Sequence, residues 1–319
     1  MKAYRMKQRF FLIYSVVFLI ALSICSCSPQ QKISQSARRE IINAPVLQNA
    51  NVGISLLDAS TGKYIYNYQA EKYFIPASNT KIPTCYAAMK YLGDSLVSFQ
   101  YAENDTAIII YPGADPTLLH PDFSRQPGIT FLRNSSKPLY VTAQQWKDNA
   151  YGNGWVWDEY NESYMAERSA LPVYGNIITW HQVQTTDDLS GDSSMLVFSD
   201  PPVNWEMNFS IENKDSVFDV ERAREKNSFL VYEGKERDKQ KQIPFLTNGV
   251  NSALELLPDT IGKQIFLMEG VVKNAPRLTP VHSQPVDSLL KPMMYHSDNF
   301  FCRTVPVNGQ QHGAWRNER

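Results

Sequence analysis

From about residue 97 to 280 the sequence reads as short β-like runs broken by Pro, Gly and charge, with helix-patterned segments on both sides. This order constrains the fold more than any other feature of the chain. It points to an α+β protein in which a strand-rich region is inserted into a domain that starts before it and resumes after it. The β-like runs are Ala107–Tyr111, Ile177–Trp180, Met195–Phe198 and Phe229–Tyr232, and no repeat links them. Lys235–Gln242 reads as a solvated charged loop. With 319 residues, 43% of them hydrophobic and 20% charged, the chain can bury a sizeable core. A net charge of -1 without a run of Lys and Arg points away from a nucleic-acid partner. The 17 Tyr, 15 Phe and 6 Trp suit a sugar- or peptide-binding surface and an ordinary core equally well.

The N-terminus reads as a secretion signal. Lys2, Arg5, Lys7 and Arg9 precede an apolar run, Phe10 to Ile24, that is shorter than the ~20 residues a membrane span needs. It ends in Ile24-Cys25-Ser26-Cys27, which resembles a bacterial lipobox. Small Ser26 before Cys27 favours Cys27 as the lipidated residue, with a signal peptide over 1–26 and a polar tether over 27–45. The product would sit in the periplasm, held to a membrane by its lipid. Cys85 and Cys302 alone cannot build a disulfide framework or a cysteine metal site. The five histidines lack ligand spacing, so neither metal nor cofactor is expected.

Residues 46–96 start with a hairpin. Val52, Ile54 and Leu56 alternate, Asp58 to Gly62 turns the chain, and Tyr64, Tyr66 and Tyr68 line the return strand. A helix follows from Ser78 to Leu92 with Ile82, Cys85, Met89 and Leu92 as its apolar stripe, closed by Gly93. A second helical segment over 281–301 carries Val286, Leu289, Leu290, Met293 and Met294.

Each helical segment carries a polar motif. Ser78-Asn79-Thr80-Lys81 puts Lys81 one turn from the Ser78 hydroxyl, where a neutral, desolvated amine takes the serine proton. Such a tetrad arises by chance roughly once in a chain this long. Ser60 to Lys63 and Ser288 to Lys291 also fit it, but only Ser78 opens a helix after a Pro-Ala pair. Ser297-Asp298-Asn299 supplies a proton relay to a leaving group (Ser297) and an amide to hold both substrate backbone and Lys81 (Asn299). Ser-x-x-Lys with Ser-Asp-Asn and Lys-Thr-Gly is the set of penicillin-binding proteins and class A β-lactamases.

At this point the chain resembles the class C penicillin-binding D-alanyl-D-alanine carboxypeptidase/endopeptidase family, in a form like that of Bacteroidetes bacteria. The resemblance runs from about residue 40 to 301, on Pro76–Lys81, Gly113–Leu118, Gly152–Glu159 and Met293–Phe301. It implies a transpeptidase-like domain over 46–96 and 281–301, with residues 97–280 inserted. It implies Ser78 as acylated nucleophile, Lys81 as base, and Ser297 and Asn299 completing the proton path. Glu159, with Asp158 beside it, matches an acidic residue that meets the diaminopimelate arm of peptidoglycan, and Tyr164 lines that pocket. Trp155 and Trp157 are expected in the core, and Asp115 in a turn or between domains. The implied partners are peptidoglycan stem peptides, with β-lactams as inhibitors.

The 319 residues contain no Lys-Thr-Gly. From Cys302 to Arg319 the text turns Gly-, Asn- and Arg-rich, as a frameshift or mis-called gene end would leave it, and is expected to be a divergent, disordered tail. The family's third motif supplies an oxyanion donor and a cation for the substrate carboxylate. Without it the chain is expected to be a weak or inactive enzyme. The rival reading is a catalytically dead lipoprotein that only binds peptidoglycan. A β-lactamase fits the long insertion less well.

Overall fold

A computed structural model of the chain describes residues 29–143, 146–186, 193–211, 217–269 and 277–311. The signal segment 1–26, the lipidation candidate Cys27 and residues 312–319 lie outside the described residues. Two compact units meet between Pro76 and Ala77.

In the first unit, helix α1 (Pro29–Ala37) and a π-helical turn (Arg38–Ile42) occupy the stretch whose composition suggests a polar tether. Strands β1 (Ile54–Asp58) and β2 (Lys63–Tyr68) pair antiparallel, Ile54 opposite Tyr68 and Asp58 opposite Lys63, as the alternation predicts. Asp58 fixes the turn by accepting hydrogen bonds from the Ser60 and Thr61 hydroxyls and the Ser60 N–H. Those donors hold its pKa down at about 2. Gly62 closes the turn at φ +67°, where a side chain would be strained.

The second unit starts with a 3-10 turn (Ser78–Thr80) that leads into helix α2 (Lys81–Tyr91). Strands β3 (Ser95–Glu103) and β4 (Ile108–Pro112), helix α3 (Pro127–Asn134) and strand β5 (Leu139–Val141) follow. Next come β6 (Ile177–Thr186), β7 (Ser193–Asp200), β8 (Glu206–Phe209), β9 (Asp219–Arg222), β10 (Ser228–Tyr232) and β11 (Asp238–Pro244). Helix α4 (Asn251–Ile261), strands β12 (Ile265–Leu267) and β13 (Thr279–Pro285), and helices α5 (Val286–Tyr295) and α6 (Asn299–Gln311) complete it.

The sheet in the order β12-β5-β4-β3-β13 decides where the motifs end up. β3 and β13 pair antiparallel, Thr279 opposite Tyr101 and Pro285 opposite Ser95. The first and last strands of the β-rich stretch are therefore neighbours. The chain entering β3 and the chain leaving β13 lie at the same end, where the Val286 N–H donates to the Asp94 carbonyl at 3.1 Å. Helices α2, α5 and α6 meet there around Ala88, Leu289, Met293, Phe301 and Val305, all fully buried. A larger core, including Phe99, Leu139, Trp180, Val231, Phe245 and Leu257, lies among the sheets and α4.

Three local expectations fail for identifiable reasons. Lys235–Gln242 is a loop only over its first three residues: Asp238–Pro244 is an edge strand paired with β6, with Asp238 and Lys239 turned to solvent. Lysine on an edge strand discourages unwanted pairing, so charge here marks an edge rather than a loop. In α2, Ile82 and Met89 are exposed, while the buried residues are Lys81 and Ala88. The face turned inward is the one that carries the Lys81 amine, and a stripe drawn from apolar residues alone is rotated away from it. Finally, residues 302–311 form helix instead of a disordered tail. Val305 is buried in the helical core, and the Asn308 amide donates to the carbonyls of Val97 and Gly113 at 2.9 and 2.7 Å.

Candidate active site

The 3-10 turn over Ser78–Thr80 is tied back by the Asn79 side chain, which accepts from the Ala77 N–H at 2.9 Å. This leaves the Ser78 hydroxyl exposed at the mouth of α2, with Lys81 beneath it. The second motif occupies the bend between α5 and α6. Ser297 adopts φ +57°, a left-handed conformation few non-glycine residues take. Asp298 caps α6: its N–H donates to the Met293 carbonyl, and its carboxylate accepts from the Phe301 N–H at 2.9 Å. Capping is thus the work of the central residue of Ser-Asp-Asn, and it frees the flanking two for the site.

Ser78, Lys81, Ser297 and Asn299 come together as the sequence predicts. The Ser78 and Ser297 hydroxyl oxygens are 2.6 Å apart. Lys81 Nζ donates to Ser78 Oγ at 3.3 Å and to Asn299 Oδ1 at 2.6 Å. Lys81 is only 3% exposed. The arrangement joins two hydroxyls, an amine and an amide in one hydrogen-bonded chain.

A cavity of about 200 Å³ opens beside this cluster, lined in part by Ser297, Asp298, Asn299, Tyr164, His120 and His296. Tyr164 therefore lines the same cavity as Ser297 and Asn299. Glu159 hydrogen-bonds its phenol, whose pKa is raised first by loss of solvent and then by that carboxylate. Asp158 is exposed beside it. Trp157 departs from the core-packing expectation: it is 68% exposed, with the Arg224 guanidinium 4.7 Å from its ring centre. Asp115 is a turn residue, accepting from the Thr117 N–H and hydroxyl at 3.0 and 2.7 Å.

Residues 35–316 match the D-Ala-D-Ala carboxypeptidase 3 (S13) family. The chain belongs to that family. The match continues across Cys302, the point at which the sequence was expected to diverge. Among solved structures, the chain is similar to penicillin-binding protein 4 of Haemophilus influenzae, with a TM-score of 0.59 and 15% identity over 84% of this chain and 64% of that one. It is also similar to the same protein complexed with a novel β-lactam, with a TM-score of 0.51 and 13% identity over 81% of this chain and 60% of that one. These likenesses show the penicillin-binding fold, and the chain spans less than two thirds of the length of either structure. No curated protein matches the sequence.

Two residues of this S13 chain's site escaped the sequence reading. His120 packs against Phe301 with ring centres 4.6 Å apart and planes tilted by 52°, and its Nδ1 accepts from the Asp122 N–H at 3.3 Å. Nothing in its sequence neighbourhood signals that contact, because Phe301 is brought to it by the β3–β13 closure. Arg303 lies 3.9 Å over the Trp155 ring and donates to the Tyr164 carbonyl at 2.6 Å. A signal for Arg303 does exist: it follows Asn299 by four residues and so shares its helix face, once the helix is allowed to run past Cys302.

Proposed function

We propose that this protein is a serine-type D-Ala-D-Ala carboxypeptidase or endopeptidase that trims peptidoglycan stem peptides through an acyl-enzyme on Ser78. The observation that carries the proposal is the buried Lys81 amine, bonded to Ser78 and Asn299, with Ser297 at the other side of the nucleophile. Ser78 Oγ attacks the carbonyl carbon of the penultimate D-Ala as Lys81 takes its proton. The proton passes through Ser297 to the amine of the leaving residue as the peptide C–N bond breaks. Water, activated by the same amine, then cleaves the ester and restores Ser78. A β-lactam carbonyl acylates the same oxygen with opening of its ring. Membership in the S13 family and the fold shared with a penicillin-binding protein support this reading.

Glu159 and Tyr164, with Asp158 alongside, form the substrate-binding side of the site and receive the side-chain amine of the stem peptide. The protein works at the cell envelope, in the periplasm, anchored through a lipid on Cys27. Among the described residues no helix is long and apolar enough to cross a membrane.

The test is release of D-alanine from an acylated D-Ala-D-Ala peptide. Release that disappears in Ser78→Ala supports the proposal. Release that is equal in both, or absent from both while peptidoglycan is still bound, leaves the binding-only reading ahead.

A further inference from the structure

The loop that carries Trp155 and Trp157 walls a second cavity, of about 220 Å³, lined by Tyr151, Trp155, Trp157, Tyr160, Met165 and Arg224 among others. We infer that this cavity binds an N-acetylated amino-sugar ring, so that the protein takes its peptide as part of a glycan-linked substrate. That the sugar comes from peptidoglycan rests on the function proposed above; that the cavity suits such a ring does not.

The lining chemistry selects the ligand class. Four aromatic rings face the space, and no carboxylate does. The single charge is Arg224, whose guanidinium lies 4.7 Å from the Trp157 ring centre and has no hydrogen-bond or ion-pair partner among the described residues. A ligand that fits needs flat C–H faces for the rings and acceptor oxygens for the guanidinium. A pyranose with an acetamido group offers both. A cationic peptide side chain is repelled by Arg224, and a purely apolar one leaves the free donors of Arg224 unused. Size agrees, because clefts for drug-sized ligands start at roughly 300 Å³ and this one is smaller.

The aromatic wall is preformed. Gly152 packs so closely on the Trp155 indole that a Cβ there would lie 2.6 Å from its Nε1. Arg303 covers the Trp155 ring, and Tyr151 meets the same ring edge-on at 5.5 Å. Trp157 is 68% exposed yet held against Arg224. Tyr164 lines the cavity beside Ser297 and Asn299, and Met165, the next residue, lines this one, with Arg303 donating to the Tyr164 carbonyl.

The test is a titration of the full chain with tri-N-acetylchitotriose, read by tryptophan fluorescence. Saturable binding that weakens about ten-fold in Trp157→Ala and in Arg224→Ala is expected. Circular dichroism checks that both variants fold, as the exposure of Trp157 leads us to expect. Absence of saturable binding, or binding that both variants leave unchanged, overturns the inference. Quenching by acetyl-D-Ala-D-Ala and not by the trisaccharide also overturns it, in favour of a peptide subsite. Penicillin acylation of Ser78, followed in parallel, separates the two readings. Acylation without sugar binding sinks this inference alone, and sugar binding without acylation supports it while sinking the peptidase.

Discussion

At the scale of single residues, the site depends on a lysine kept from water. Replacing Lys81 by Met removes the base while filling the same space with an apolar chain, so Ser78 acylation should fall by ~100-fold or more. Thermal stability should hold or rise, because a buried amine is exchanged for a side chain with no polar group to satisfy. Activity and Tm moving down together would instead give Lys81 a structural role. Removing the partner is a different matter. Asn299→Ala strips the buried amine of its shortest bond, and stability is expected to fall by about 1–3 kcal/mol in urea unfolding. His120 gives the chain a pH dependence. Burial pushes its pKa below the ordinary 6.5, against the opposing pull of Asp122 and Asp298. The unfolded chain thus takes up this proton more readily than the folded one, and the stabilisation is complete above 6.5 and lost as the pH falls below it. Tm should drop on acidification through that value, and a His120→Phe variant should show a shallower drop.

At the scale of elements, what could be read from the sequence followed local physics. The hairpin was legible because Ile54, Tyr64, Tyr66 and Tyr68 alternate around a turn that Asp58 and Gly62 chemically define. Helix α5 was legible through Val286, Leu289, Leu290 and Met293, all of which are buried. The continuation of α6 was not. Pro306 and the polar residues around it blur the periodicity, and the bonds that hold the helix in place are made to Val97 and Gly113, distant in sequence. Those bonds make α6 testable. Asn308→Leu leaves two carbonyls without their donor and should lower stability by about 1–3 kcal/mol, read as a shift in the urea midpoint at constant m. Because α6 starts at Asn299, the same variant should also slow Ser78 acylation. An unchanged acylation rate would mean that the capped bend at Asp298 positions Asn299 by itself.

At the scale of the whole molecule, the two motifs could be recognised but their meeting could not be derived from spacing. More than two hundred residues separate Ser78 from Ser297. What joins them is the pairing of β3 with β13, which places the two ends of the strand-rich stretch side by side. Residue types announced the chemistry, and only long-range strand pairing announced the geometry. Trp157 shows the same division. Its sequence neighbourhood marked the substrate side, yet its exposure against Arg224 depends on a strand-rich region whose folding local patterns do not reveal.

The central claim is that these distant segments form one acylating centre on Ser78. Incubation of the full chain with a fluorescent penicillin, intact-mass analysis and mapping of the labelled peptide test it most directly. The account predicts a single adduct, located on Ser78 and absent from Ser78→Ala. An adduct on another serine, or labelling that persists in Ser78→Ala, would contradict it.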